Sequence, residues 1–264
     1  MMKKTLVALA LAATTVSGSA MAWQTNGTGG SLELGGTLTP EQTSNPWEVL
    51  IGSAVTNLNE SIKPGVTEVS LPVTKAITVL GIRTMSNQPF SGVSGIDPQI
   101  DFNGAINVDN NTGAGSGKTP LYAKITDAGG SDIGTLSTIL SVAGLVSYNN
   151  QAQTYPLQAS LSNSVNSAFS GGLLNQNGAL LNTANVKTMF NSINTDFLAN
   201  YNDQGATDRD YSRFASFSDS TLVFSAAYGS GILAGETIKL TLNTPTASDE
   251  IQWKASLPIT VSYQ

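Results

Sequence analysis

The chain has 264 residues, a formal net charge of −6, and neither cysteine nor histidine. That excludes disulfides, His-based triads, Cys–His pairs and histidine metal ligands. An acidic chain with only 12 Lys+Arg repels phosphate backbones and has no polybasic patch for anionic lipid, so nucleic acid is not expected as a partner.

Only 11% of residues are charged, and Gly, Ser, Thr, Asn and Ala abound. Such a composition suits an extracellular, β-rich structural protein. No cofactor is expected.

Residues 1–22 have the pattern of a secretory signal peptide. Lys3 and Lys4 precede an apolar run from Thr5 to Ala13, and Ala20-Met21-Ala22 offers small residues where a signal peptidase cuts. The run is too short to span a bilayer, and nothing later approaches about 18 uninterrupted apolar residues, so no membrane insertion is expected. Cleavage after Ala22 leaves Trp23 to Gln264, 264 − 22 = 242 residues. Their charge is 10 − 18 = −8, because the signal holds two lysines and no acids.

Trp23 to Gly30 is polar and glycine-rich. Gly30 to Thr39 then alternates, with Leu32, Leu34 and Leu38 on one side and Gly36 continuing that face. Two readings of this strand stand side by side. It pairs within its own domain, or it is delivered on its flexible leader to another molecule by strand addition. Further strands are expected at Glu68–Thr74, Ile77–Thr84, Gln99–Val108, Leu121–Thr126, Leu136–Asn149, Thr221–Gly229, Glu236–Asn243 and Leu257–Gln264. Short strands separated by turn-rich segments indicate an antiparallel sandwich rather than a βαβ sheet.

Thr112 to Thr119, TGAGSGKT, matches the second half of a phosphate-binding loop at Gly117, Lys118 and Thr119. The first glycine is out of register, since position 112 is Thr. A phosphate loop also needs a strand before it and a helix after it. Here a turn precedes, and Pro120 and a strand-like run follow, so a Gly/Ser loop between two strands is expected. One helix is expected over Asn185–Tyr201. Val186, Met189, Phe190, Ile193, Phe197, Leu198 and Tyr201 recur at helical spacing, and Asn185 is placed to cap the start. Its apolar face should pack on the sandwich. This helix lies in an Asn/Ser/Gly-rich insert from about 149 to 210.

The chain ends on a strand pattern. Leu257, Ile259, Val261 and Tyr263 share one face, and Ser256, Thr260 and Ser262 the other. Trp47 and Trp253 are expected to anchor the core.

The signal peptide, Trp23 as first mature residue, GSLELGGTLTP followed by NPWEVLIG, Ser225-Ala226-Ala227-Tyr228 and the penultimate Tyr263 together resemble the FaeG-like enterobacterial fimbrial subunits. The likeness covers about a third of the chain well, at its two ends; residues 87–219 match loosely. It implies a chaperone–usher pilin: an incomplete immunoglobulin-like sandwich, missing its last strand, with an inserted segment containing a short amphipathic helix. Residues 23–40 would be the donor-strand extension and 41–264 the pilin domain. Carried over by position, Ser31, Leu32, Glu33, Leu34, Gly35, Gly36, Thr37 and Leu38 would form the donor strand. Leu257, Ile259, Val261 and Tyr263 would line the acceptor groove, with the Gln264 carboxylate in the chaperone's basic cleft. The implied partners are neighbouring copies in a fibre, a periplasmic chaperone, an outer-membrane usher and a host glycan receptor. The implied location is the fimbrium at the cell surface.

In that group the major subunit is itself the adhesin; the alternative is a purely structural pilin with adhesion carried by another subunit. Tyr155, Tyr201, Arg209 and Tyr211 are candidate receptor-binding residues in the insert. Two other classes fit less well. A hydrolase would need carboxylate pairs such as Asp208/Asp210 or Asp249/Glu250, which in turns are usually solvated. An outer-membrane barrel would need aromatic girdles that this chain lacks.

Overall fold

The computed structural model describes residues 35–36, 45–109, 115–149, 154–159 (backbone alone), 167–175, 182–206, 216–247 and 249–264. Met1–Glu41 and Gln42–Gln264 are separate compact units. Of the first unit only Gly35 and Gly36 are described, both exposed. The rest of the strand expected at 30–39, and the signal segment, lie outside the described residues.

The second unit is an all-β sandwich with one short helix. Its strands are β1 (Trp47–Ile51), β2 (Glu68–Pro72), β3 (Ile77–Thr84), β4 (Phe90–Ser91), β5 (Pro98–Asp101), β6 (Lys118–Asp127), β7 (Asp132–Asn149), β8 (Thr154–Ala159), β9 (Val223–Ile232), β10 (Thr237–Leu242), β11 (Trp253–Ala255) and β12 (Thr260–Tyr263). All pairings between these strands are antiparallel.

The 18-residue β7 organises the sheets. Its first half pairs with β6 on one edge and β10 on the other, and β10 continues to β2. Its second half, Ser141–Asn149, pairs with β9, and β9 continues through β3 to β1. One strand thus serves two groups of partners. Its burial changes accordingly, from alternating between Gly134 and Leu140 to continuous from Leu140 to Ser147. Alternation marks a strand covered on one face, and a continuous run marks one covered on both.

The second cover is helical. Helix α1 (Thr183–Ile193) packs on β7, β8 and β9, and a 3-10 turn (Thr195–Leu198) packs on β3 and β9. Val186, Met189, Phe190, Ile193 and Phe197 are buried, as their spacing predicts. Each contributes roughly 1.5–3 kcal/mol on burial. Two features differ from expectation. Asn182, not Asn185, caps α1, its side chain accepting from the Asn185 amide at 2.9 Å. The expected continuous helix to Tyr201 also breaks at Asn194. That residue takes an extended conformation (φ −161°, ψ 117°) and its side chain caps the 3-10 turn through the Asp196 amide. Leu198 and Tyr201 are only half-buried.

Helix and sheet come close because β3 and β9 present glycine there. A Cβ on Gly229 would lie 2.5 Å from the Phe197 ring and 2.7 Å from Phe190, and one on Gly81 would lie 2.5 Å from Phe197. On the inner face of the same strands, Tyr228 is fully buried and stacks on Phe169, with its hydroxyl donating to Gly172 O at 3.1 Å.

Two strand expectations shift, and four strands arise where none is expected. The strand expected at Gln99–Val108 ends at Asp101, because Asn103 (φ 51°) and Gly104 (φ 78°) turn the chain through left-handed conformations. The last strand spans Thr260–Tyr263 rather than starting at Leu257. β1, β4, β8 and β11 were not foreseen as strands.

Candidate functional site

Among the described residues the C-terminal strand β12 has one partner, β5, with Val261 opposite Ile100 and Tyr263 opposite Pro98. The ladder continues past the strand, Gln264 N donating to Asp97 O at 3.1 Å and Asp97 N to Gln264 O at 3.0 Å. In an antiparallel ladder such doubly bonded residues alternate. Residues 260, 262 and 264 therefore bond to β5, while the N–H and C=O groups of Val261 and Tyr263 point the other way. Those groups have no partner among the described residues. By contrast, the second edge of β5 is taken: Ile100 N donates to Ser170 O and Phe169 N to Pro98 O.

The side chains follow the same alternation. Leu257, Ile259, Val261 and Tyr263 pack against the core yet stay half-buried, while Pro258, Thr260, Ser262 and Gln264 are exposed. The four residues expected to line a groove therefore share one apolar, partly uncovered face.

A second such edge belongs to β1, which among the described residues pairs only with β3. Pro46 O accepts from Met85 N, and Gly52 N donates to Val79 O. Even-numbered residues thus face β3, and the backbone groups of Val49 and Ile51 face outward. Trp47, Val49 and Ile51 share a face. Trp47 is buried at 5% exposure, yet Val49 is 41% and Ile51 54% exposed. Apolar side chains on the core side of a strand are left uncovered only where the layer above them is incomplete. Sequence reasoning missed Trp47–Ile51 as a strand. Its signal was the alternation Trp47, Val49, Ile51, masked by Leu50 on the opposite face.

The two edges meet at one end. Trp47 Nε1 donates to Ile96 O at 2.7 Å, and the next residue, Asp97, carries the bonds to Gln264. Trp47 sits in an aromatic cluster with Phe90, Phe169 and Phe217, so it is the core anchor expected. Trp253 is only half-buried. The buried Asp97 carboxylate accepts from Phe217 N at 2.7 Å and Ser216 Oγ at 2.8 Å. Burial pushes its carboxyl above the usual range, and the Phe217 amide and Ser216 hydroxyl pull it partly back.

Of the expected donor residues, Ser31, Leu32, Glu33, Leu34, Thr37 and Leu38 lie outside the described residues. So do Arg209 and Tyr211, and the side chain of Tyr155. Tyr201 lines a cavity of about 250 Å³ with Asn87, Lys187, Asn202 and Asp203. Lys118 and Thr119 are not loop residues but the first two of β6. Lys118 pairs with Glu236 at 2.6 Å and Thr119 is buried. A strand stands where a nucleotide site needs a helix N-terminus. Asp249 and Glu250 are exposed, and no group of three or more metal-ligating residues occurs among the described residues.

An antiparallel sandwich with two apolar edges that have no partner among the described residues has surfaces suited to association through strands. The profile of the family described as "Fimbrial, major and minor subunit" matches residues 2–264, and the chain belongs to that family. It is 31% identical to K88 fimbrial protein AB of Escherichia coli, over 99% of this chain and 100% of the relative. It is 30% identical to K88 fimbrial protein AC of the same species, with the same coverage, and 26% identical to the K88 minor fimbrial subunit FaeI, over 92% and 93%. The likeness therefore runs through the middle of the chain as well as its ends. The protein is a fimbrial subunit and not an enzyme, and it assembles with other subunits into fibres on the cell surface.

Proposed function

We propose that this chain is a chaperone–usher pilin whose sandwich lacks its last strand, and that copies polymerise by donor-strand exchange. The observation that carries the proposal is the pair of edges, β1 and β12, that have no partner among the described residues, each with core-side apolar residues left open. An inserted strand would satisfy the backbone groups of Val49 and Ile51 on one side and of Val261 and Tyr263 on the other. It would also cover their side chains. The donor is Ser31 to Leu38 of the neighbouring copy. Leu32, Leu34 and Leu38 enter the groove, worth on the order of 1.5–3 kcal/mol each, and Gly36 admits close backbone approach. The signal at 1–22 directs export. A periplasmic chaperone holds the groove until an outer-membrane usher passes the subunit on.

The subunit is itself adhesive, binding a host glycan through the insert at about 149–210. The Tyr201 cavity offers a ring, a cation and carboxamides within reach of one another. Shortening the insert while keeping both ends should leave fibres intact and abolish cell binding. Undiminished binding would assign adhesion to another subunit.

Strand exchange is tested by two chains. One is mature Trp23 to Gln264. The other lacks Trp23 to Pro40 and carries Ser31 to Leu38 on a short linker after Gln264. The rearranged chain should be monomeric and melt well above the native order, which should form ladders. A native order that is already a stable monomer, destabilised by the transplant, would overturn the proposal.

A further inference from the structure

Donor-strand insertion, if it occurs as proposed above, leaves a register problem that the leucines cannot solve. A one-residue slip turns Leu32, Leu34 and Leu38 out of the groove and is strongly disfavoured. A two-residue slip keeps every leucine on the groove face. Such a slip moves Gly36 from its place of close approach, and a charged group on the opposite face distinguishes the even registers further.

That face carries a single charge. Glu33 is the sole charged residue between Trp23 and Pro40, and alternation places it opposite the leucines, with Ser31, Gly35 and Thr37. A strand added beside β1 would lay those residues along its helix-covered side, where Glu48 and Leu50 project. There a cavity of about 180 Å³ is lined by Glu48, Leu50, Gly81, Arg83, Asp196 and Phe197. Arg83 lies opposite Glu48 in register. Its Nε donates to Glu48 Oε1 at 2.5 Å and its Nη1 to Asp196 O at 2.6 Å. Asn200 Nδ2 donates to the same Glu48 oxygen at 3.2 Å. Guanidinium has five N–H donors, so three remain beside this cavity. A carboxylate arriving beside Glu48 alone would be repelled. Arriving beside Arg83, it finds a planar donor fork matched to carboxylate.

We propose that Glu33 of the incoming copy pairs with Arg83, completing a Glu33–Arg83–Glu48 bridge that fixes the register of the inserted strand. The leucines supply the affinity, and the bridge adds to Gly36 in selecting among the registers that keep leucine in the groove. A slip of two residues moves Glu33 by about 6.6 Å along the strand and breaks the contact.

The test uses fibres of the full mature chain, with dissociation in denaturant followed for wild type, E33Q, R83Q and E33Q/R83Q. Each single substitution should speed dissociation roughly 3- to 10-fold, and the double substitution no more than either. Arg83→Lys, which keeps the charge and loses the fork, should fall between wild type and R83Q. Added salt should speed dissociation of wild type but not of E33Q, a comparison that leaves Arg83 and the folded unit untouched. Multiplicative single effects, or equal salt dependence in wild type and E33Q, would overturn the register bridge. Leu34→Lys separates the two levels of argument. If it blocks polymerisation while the E33Q and R83Q effects multiply, only the bridge falls; if fibres form regardless of Leu34→Lys, strand exchange falls and the bridge with it.

Discussion

Gly229→Ala tests how the helical layer is seated. The new Cβ would stand 2.5 Å from Phe197 Cδ2 and 2.7 Å from Phe190 Cε1. Carbon atoms rest at about 3.5–4.0 Å, so both rings must retreat by about 1 Å. They cannot turn aside freely, because they pack edge-to-face against each other at 5.4 Å. Overpacking of this kind costs about 1–3 kcal/mol, offset in part by the 0.4–1 kcal/mol that Ala gains over Gly in the unfolded chain. A net loss of about 1–2 kcal/mol should lower Tm by roughly 2–8 °C in a domain of this size. Scanning calorimetry of the purified subunit measures it. Phe197→Leu, destabilising alone, should cost less in the Gly229→Ala background, since the smaller side chain relieves the clash. A Tm for Gly229→Ala at or above wild type, or additive effects in the double substitution, would refute the close-approach argument.

Val49→Lys places a charge on a side chain already 41% exposed. Subunit stability by denaturant titration should change by less than about 0.5 kcal/mol, while polymerisation measured by light scattering should stop. Asp97→Asn removes the buried carboxylate. Because burial raises the folded-state value above the ordinary 3.8, wild type should gain stability relative to the variant as pH falls. That gain is complete below the unfolded value and lost as pH rises through the folded one. Tm differences between about pH 3 and 7 show the sign; a relative gain for wild type with rising pH would contradict it. Lys118→Met should cost under about 1 kcal/mol, as expected for a part-exposed ion pair with Glu236, and titration with magnesium ATP should give no binding heat before or after.

What the sequence disclosed follows from which interactions are local. The alternation of Leu257, Ile259, Val261 and Tyr263 is set by strand geometry, and the structure keeps it. So is the row Val186, Met189, Phe190, Ile193, although Asn194 breaks the helix because its side chain satisfies a new turn better than a continuing one. The strand at Trp47–Ile51 was not legible: whether Val49 and Ile51 are core or surface depends on a neighbour far away in the chain. Arg83 is equally silent in sequence. Its partners Glu48 and Asp196 stand 35 and 113 residues away. Lys118 shows the reverse case: a local motif suggests a chemistry that Pro120 and the strand-like run after it already exclude in sequence, and β6 stands there in the structure.

The edges of this fold are not treated alike, and the contrast supports the assembly reading independently of family. A raw sheet edge invites pairing, and proteins blunt it with charge, proline or brevity. The outer strand β2 carries Glu68, paired to Lys239 at 2.7 Å, and ends in Pro72. The outer strand β11 is three residues long and contains Lys254. On β1 and β12 the outward-pointing backbone belongs to Val49, Ile51, Val261 and Tyr263, with neither charge nor proline among them. Glu48, the one charge on β1, projects from the other face and is neutralised by Arg83. Among the described residues the chain blunts β2 and β11 and leaves open two edges that converge near Trp47 and Gln264, the arrangement that the proposed strand insertion requires.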